Sequence, residues 1–252
     1  MFCLLTLASF GQTTPAPAAG DSATAQPAAT AATAPTVNQI LNRYEKAIGG
    51  RAAWEKLSSR TLMGTIEVAA LNLSGTVLIQ KKAPNKMHSA VIINGAAFQQ
   101  GYDGITGWTD DPKDGLRDRA GAELAETKRD ADFLEAFDLR KLYSKLSVTG
   151  TEKVGDSEAY VIEAEVPEGG APTKMYFDTQ TGLLVRVESE IHDADGVSHL
   201  REDLSDYRDV DGVKLPFMSK ETNGDTTYTI KMSEVHHNVE LEDSDFAKPA
   251  VQ

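Results

Sequence analysis

The chain is short of thiols, of aromatics, of positive charge and of long apolar runs. Cys3 is the only cysteine in 252 residues. It falls in the opening run Met1 to Phe10, MFCLLTLASF, which has the apolar character of an export leader. The chain beyond that run has no thiol, so disulfides, thiolate nucleophiles and cysteine-held metals are excluded from it. Lys and Arg number 25 against 38 Asp and Glu, a formal net charge of −13, which opposes binding to nucleic-acid phosphates or to anionic membrane surfaces. No later segment approaches the roughly 20 apolar residues that cross a bilayer. Stability must therefore come from one packed core, in a product that is soluble once the leader is removed.

The run before Gly11 places small residues, Ser9 and Gly11, where a signal peptidase prefers them, and residues 1–11 are read as a signal peptide. The run lacks a Lys or Arg n-region, so the leader is read as truncated. An exported, periplasmic product follows from this reading. Residues 12–35 are Ala, Thr, Pro and Ser with a single charge, Asp21, and hold nothing from which a core could be built. They read as a disordered tether, and residues 36–249 as one domain.

That domain begins with a helix. Thr36 and Gln39 form a capping-box pair, and Val37, Ile40, Leu41, Tyr44 and Ile48 recur at helical spacing before Gly49-Gly50 ends the run. A short second helical piece carries Trp54 and Leu57. Beyond Arg60 the period becomes two, the mark of half-buried antiparallel strands: Leu62/Ile66/Val68, Val77/Ile79, Tyr160/Ile162/Ala164/Val166, Val185/Val187/Ile191 and Tyr228/Ile230/Met232. Turn pairs such as Pro84-Asn85, Asp103-Gly104, Thr181-Gly182, Asp211-Gly212 and Asn223-Gly224 punctuate them, which predicts a meander. Gly115 to Ser144 interrupts the strands with Leu124, Phe133, Leu134, Phe137, Leu142 and Tyr143 among many charges. It reads as one or two helices that cover a sheet face, either as core cover or as a lid.

Catalytic signatures are absent: no HExxH, no GxSxG, no Walker loop and no GxGxxG opening a helix. Of the five histidines, His236-His237 cannot share a metal, because neighbours on a strand point to opposite faces. His192 and His199 flank a hairpin and could face each other across it. The acidic stretch from Arg201 to Gly212 keeps no calcium-loop spacing and reads as a solvated hairpin. Neither a catalytic centre, nor a metal, nor a cofactor is expected.

The order of parts resembles the LolA/LolB-like superfamily of periplasmic lipoprotein and lipid carriers, from about Thr36 to Pro249. The resemblance rests on the N-terminal helix, on Leu73-Ser74-Gly75-Thr76-Val77-Leu78-Ile79 leading into Lys82-Ala83-Pro84-Asn85-Lys86, and on Gly101-Tyr102-Asp103-Gly104-Ile105-Thr106-Gly107-Trp108. Tyr176-Phe177-Asp178-Thr179-Gln180-Thr181-Gly182-Leu183, Tyr207 with Asp211-Gly212-Val213-Lys214-Leu215-Pro216, and the ending Asp245-Phe246-Ala247-Lys248-Pro249 complete it. It implies a mainly β (α+β) fold, a curved antiparallel half-barrel of about eleven strands with an N-terminal helix and a mid-chain helical plug. The side chains it would turn toward an apolar cavity are Ile66, Val68, Val77, Ile79, Trp108, Phe133, Phe137, Tyr160, Ile162, Met175, Phe177, Val185 and Val187. The strand after the Pro84 turn, Met87-His88-Ser89-Ala90-Val91, departs from the aromatic and arginine-rich strand typical of such carriers. A general lipid role is then as open as lipoprotein sorting.

Three readings follow. In the first, the half-barrel carries lipid or lipoprotein acyl chains, each buried methylene contributing roughly 0.8 kcal/mol. In the second, it senses or docks an envelope protein through the same face. In the third, an envelope hydrolase uses carboxylates around Asp203 and Asp206. An apolar void under the mid-chain helices would favour carriage, and a filled core would favour docking.

Overall fold

A computed structural model describes residues 34–194 and 196–250. The leader and the tether proposed for residues 1–11 and 12–35 lie outside the described residues, except for Ala34 and Pro35. Helix α1 (Val37–Ala47) starts at the Thr36–Gln39 capping box, and α2 (Arg51–Trp54) follows directly. Strands β1 (Ser59–Val68), β2 (Leu73–Lys82), β3 (Lys86–Ile93), β4 (Ala96–Tyr102), β5 (Gly107–Asp110) and β6 (Arg117–Asp118) then run as an antiparallel meander. Helices α3 (Gly121–Ala131) and α4 (Glu135–Leu142) come next. The chain returns through β7 (Lys145–Val154), β8 (Ser157–Glu165), β9 (Thr173–Asp178), β10 (Leu184–Asp193), β11 (Gly196–Val210), β12 (Val213–Asn223) and β13 (Thr226–His237).

All thirteen strands form one sheet, ordered β6-β5-β4-β3-β2-β1-β13-β12-β11-β10-β9-β8-β7. The order explains where the helices lie. The first six strands step outward to one edge, and the last seven step inward from the other edge until β13 pairs with β1. To join β6 to β7 the chain must traverse the width of the sheet, and α3 and α4 are that crossing. They cover the inner face of the curved, unclosed sheet. Thirteen strands replace the expected eleven, and β6, at two residues, is too short for alternation to reveal.

The core lies between this inner face and the helices. Ile40, Leu41 and Tyr44 of α1 are buried in it, and Tyr44 meets Phe177 edge-on with ring centroids 5.2 Å apart. The first helix is held at its end by backbone contacts: Lys214 N–H donates to the Ile48 carbonyl at 3.0 Å, and the Trp54 indole donates to the same oxygen at 2.9 Å. Gly49 permits this approach, since a Cβ there would stand 2.5 Å from the Gly212 carbonyl oxygen. On the outer face a small cluster of Ala159, Val161 and Tyr176 packs with Val154 and Val185. Also there, the C-terminal turn (Asp243–Phe246) lies against β3–β5, pinned by Lys82 and Lys86 on Asp243, each at 2.9 Å.

Candidate ligand-binding interior

Antiparallel partners share a face, so the inner surface can be built row by row from the register. One row runs Ile162–Met175–Val187–Glu202–Glu221–Tyr228 across β8 to β13. Another runs His237–Arg60–Lys81–Met87–Tyr102 from β13 to β4. Next to it lies Val235–Leu62–Ile79–Ser89–Gln100–Thr109. Most other inward positions are aliphatic or aromatic.

Ten of the thirteen side chains singled out above, Ile66, Val68, Val77, Ile79, Phe133, Phe137, Ile162, Met175, Phe177 and Val187, are buried in the one inner core. Tyr160 packs against it half-buried. Two point the other way. Val185 falls at a β-bulge: Leu184 pairs with Phe177 and Arg186 with Tyr176, leaving Val185 unpaired. The extra residue shifts the alternation, so Leu184 and Val187 turn inward while Val185 joins the outer cluster. Trp108 pairs with Gly101, which pairs with His88 and then Gln80, a row on the outer face. Its ring lies against Gly101, where a Cβ would sit 2.5 Å from the indole, and its Nε1–H donates to the Phe246 carbonyl at 2.9 Å. Trp108 is a seat for the C-terminal turn.

The histidines separate as strand geometry requires. His236 is exposed beside Glu234, whereas the His237 side chain is buried, with Nδ1 3.0 Å from Asp211. His192 and His199 do not meet, because His199 pairs with Glu190 and His192 with Val197. The His192 ring instead bonds Glu126 of α3. Asp203 is held by Arg186 and Arg201, and Asp206, at a positive φ of 52°, by Arg208. Both carboxylates of the hydrolase reading are thus salt-bridged by arginine.

The interior also holds polar groups that the strand pattern did not single out. Glu202 and Glu221 sit directly opposite each other, with 1% and 0% exposure. Burial first, and then the neighbouring Glu202 carboxyl, push the Glu221 pKa well above the carboxylate range. Toward the other end, Lys81 and Glu135 of α4 form a buried ion pair at 3.2 Å. Arg60, 6% exposed, lies between two rings, its guanidinium carbon 5.1 Å from the Trp54 centroid and 5.7 Å from that of Phe133. Alternation carried the signal for both groups: Glu202 stands between inward Leu200 and Leu204, and Arg60 two residues before inward Leu62.

Where these rows meet the helices there is a cavity of about 50 Å³, lined by Arg60, Lys81, Ser89, Glu135, Tyr44 and Tyr207 among apolar walls that include Trp54, Leu62, Ile79 and Phe133. It has room for a few waters and none for an acyl chain. A second cavity, of about 40 Å³, lies under α3 between Glu126, Arg129 and Asp130 and the inward Thr173, Ser189 and Ile191, and a more open one of about 490 Å³ is bordered by Pro172, Ser189, Glu190, Leu200 and Thr222. The helices cover the inner face with few side chains: α3 buries only Thr127, Asp130 and Ala131, and α4 only Phe137. Polar clasps add to them, Arg129–Glu168 at 2.5 Å, Arg51–Asp138 at 2.7 Å and the His192–Glu126 contact.

Among the described residues no group of three or more His, Cys, Asp or Glu side chains could hold a metal ion, and no helix is long and apolar enough to cross a membrane. No protein-family model matches the chain, and no curated protein does. Solved structures do. A putative outer membrane lipoprotein-sorting protein domain from Vibrio parahaemolyticus superposes with a TM-score of 0.52 at 15% identity, over 83% of this chain and 95% of that one. A LolA superfamily protein from Nitrosomonas europaea gives 0.53 at 12% identity, covering 85% and 99%. A DUF1329 family protein from Desulfovibrio piger gives 0.52 at 15%, covering 84% and 97%. The likeness runs over most of this chain and nearly the whole of each of these proteins, and the chain, an open thirteen-stranded sheet with helices across its inner face, has the LolA-like fold.

Proposed function

We propose that the protein is an exported carrier that takes up the acyl chains of a lipid or lipoprotein under its mid-chain helices. The observation that supports this is a mismatch. The inner face of the sheet presents buried apolar side chains from β1 to β3 and from β8 to β13, yet of the crossing segment only Phe133, Phe137 and Tyr143 are buried in that core, with Leu134, Ala136, Leu139 and Leu142 half-buried against it. A layer held this way lifts at modest cost, and each acyl methylene that replaces it contributes roughly 0.8 kcal/mol. The Vibrio protein is named for outer membrane lipoprotein sorting, which fits the same reading. The interior supplies burial, and carriage needs no catalytic step.

Uptake of a fluorescent fatty acid by the purified protein, followed by hydrogen exchange, tests the proposal. Carriage predicts saturable binding and faster amide exchange across residues 121–142, with sheet protection unchanged. A clean unliganded mass after gentle extraction, with no uptake, would rule it out. A second reading, docking of an envelope protein, draws on the small size of the cavities under the helices. Stoichiometric crosslinking to a protein partner without lipid would favour that reading.

A further inference from the structure

We infer that the cavity beside Arg60 is an anion seat, and that it receives the carboxylate or phosphate head of a single-chain amphiphile. The inference rests on the carrier reading and adds to it which end of the ligand is recognised and where.

Arg60 and Lys81 are directly paired across β1 and β2, both on the inner face, with 6% and 3% exposure. Like charges placed opposite each other on a sheet repel, and burying them multiplies the cost. Glu135 is the carboxylate facing them, 3.2 Å from Lys81. Next along the row is His237, whose pKa burial lowers from its usual value and which is bound to Asp211. Two buried cations thus share one carboxylate.

Hydrogen bonding points the same way. Nε and Nη1 of Arg60 are buried without a partner, and so is the Ser89 hydroxyl, whose residue is 1% exposed. Both side chains line the cavity. A guanidinium cannot shed its proton to escape burial, and it presents paired N–H donors that match the two oxygens of a carboxylate or phosphate. Trp54 and Phe133 flank it. The volume of about 50 Å³ suits a head group and its water, while the chain would run beneath α4 along Leu62 and Ile79.

The test uses the full-length protein with three probes, dodecanoate, dodecyl phosphate and dodecanol, and inorganic phosphate as a fourth. Trp54, against the Arg60 guanidinium, reports by its emission. The expected result is that either anionic amphiphile binds at least tenfold tighter than dodecanol, with a preference that shrinks as salt rises. In Arg60→Met the preference falls to near one while dodecanol affinity is unchanged, and Arg60→Lys restores part of it. Equal affinity for acid and alcohol in the unsubstituted protein overturns the seat and leaves carriage standing, without need of any variant. A preference that persists in folded Arg60→Met overturns it too. If no amphiphile binds but inorganic phosphate shifts Trp54 emission in the unsubstituted protein alone, the seat stands for a free anion and carriage fails. Silence from all four probes overturns both.

Discussion

Two rows of the same inner face bury like charges side by side, and they resolve the conflict differently. In the row through β11 and β12, Glu202 faces Glu221; in the row through β1 and β2, Arg60 faces Lys81. A buried carboxyl escapes its charge by keeping a proton, which is why the Glu221 pKa is driven up by burial and by Glu202. A guanidinium has no such exit. The acidic pair lies apart from the cavity beside Arg60 and draws its hydrogen bonds from the sheet, with Ser219 donating to Glu221 at 3.3 Å and the Tyr228 hydroxyl bonding it as well. The basic pair borrows Glu135 from a helix that crosses the sheet, and it borders the cavity. Sheet and crossing helix are coupled in one row and separate in the other.

Breaking the borrowed contact has the largest expected effect. Glu135→Ala leaves two buried cations with no facing carboxylate, and loss of one partner of a buried pair typically costs about 3–5 kcal/mol. Urea unfolding should show that loss, together with faster hydrogen exchange over α4 than over β11 and β12. Unchanged stability would mean that the helix does not neutralise this row.

The acidic row gives a smaller effect that depends on pH. The folded Glu221 pKa lies above the ordinary value of 4.5, so the folded state holds a proton that the unfolded chain releases. Its contribution is complete below about pH 4.5 and is lost as pH climbs toward the folded pKa, so stability declines as pH rises above about 4.5. Glu221→Gln imitates the protonated carboxyl, since its amide donates to Glu202 at every pH. The variant should be more stable than the parent at pH 8 by on the order of 1–3 kcal/mol and nearly equal to it at pH 4. Unfolding midpoints at the two pH values decide the matter, and parallel pH profiles would show that the pair titrates normally.

The contrast between the rows also marks how far the fold is legible in the sequence. The capping box at Thr36, the meander and the helical break after Gly115 are legible, because each is a local pattern with its own period or turn chemistry. Most inward aliphatic positions follow. Val185 does not, because one bulged residue reverses the phase of a strand, and a bulge leaves no mark in an alternating sequence. Trp108 has the size of a core residue, yet what buries it is a turn 138 residues away in sequence. Glu202 reads as solvated hairpin although its inward phase is visible between Leu200 and Leu204. Its partner Glu221 is a neighbour only through the register of β11 and β12.

The smallest effect has the opposite sign and separates the rows most sharply. Arg60→Met deletes the cation that lacks full compensation and puts in its place an unbranched side chain that still lies between Trp54 and Phe133, with sulfur–ring contacts in place of cation–π attraction. Replacing a buried charge by an apolar group of similar length is neutral or favourable where that charge was poorly paired, so the variant should gain between zero and about 1 kcal/mol in urea unfolding. A residue kept at a cost to stability has its reason elsewhere, which is what an anion seat supplies. If Arg60→Met instead loses as much as Glu135→Ala, the guanidinium is a structural member of the ion cluster, and the two rows differ in sign of charge alone.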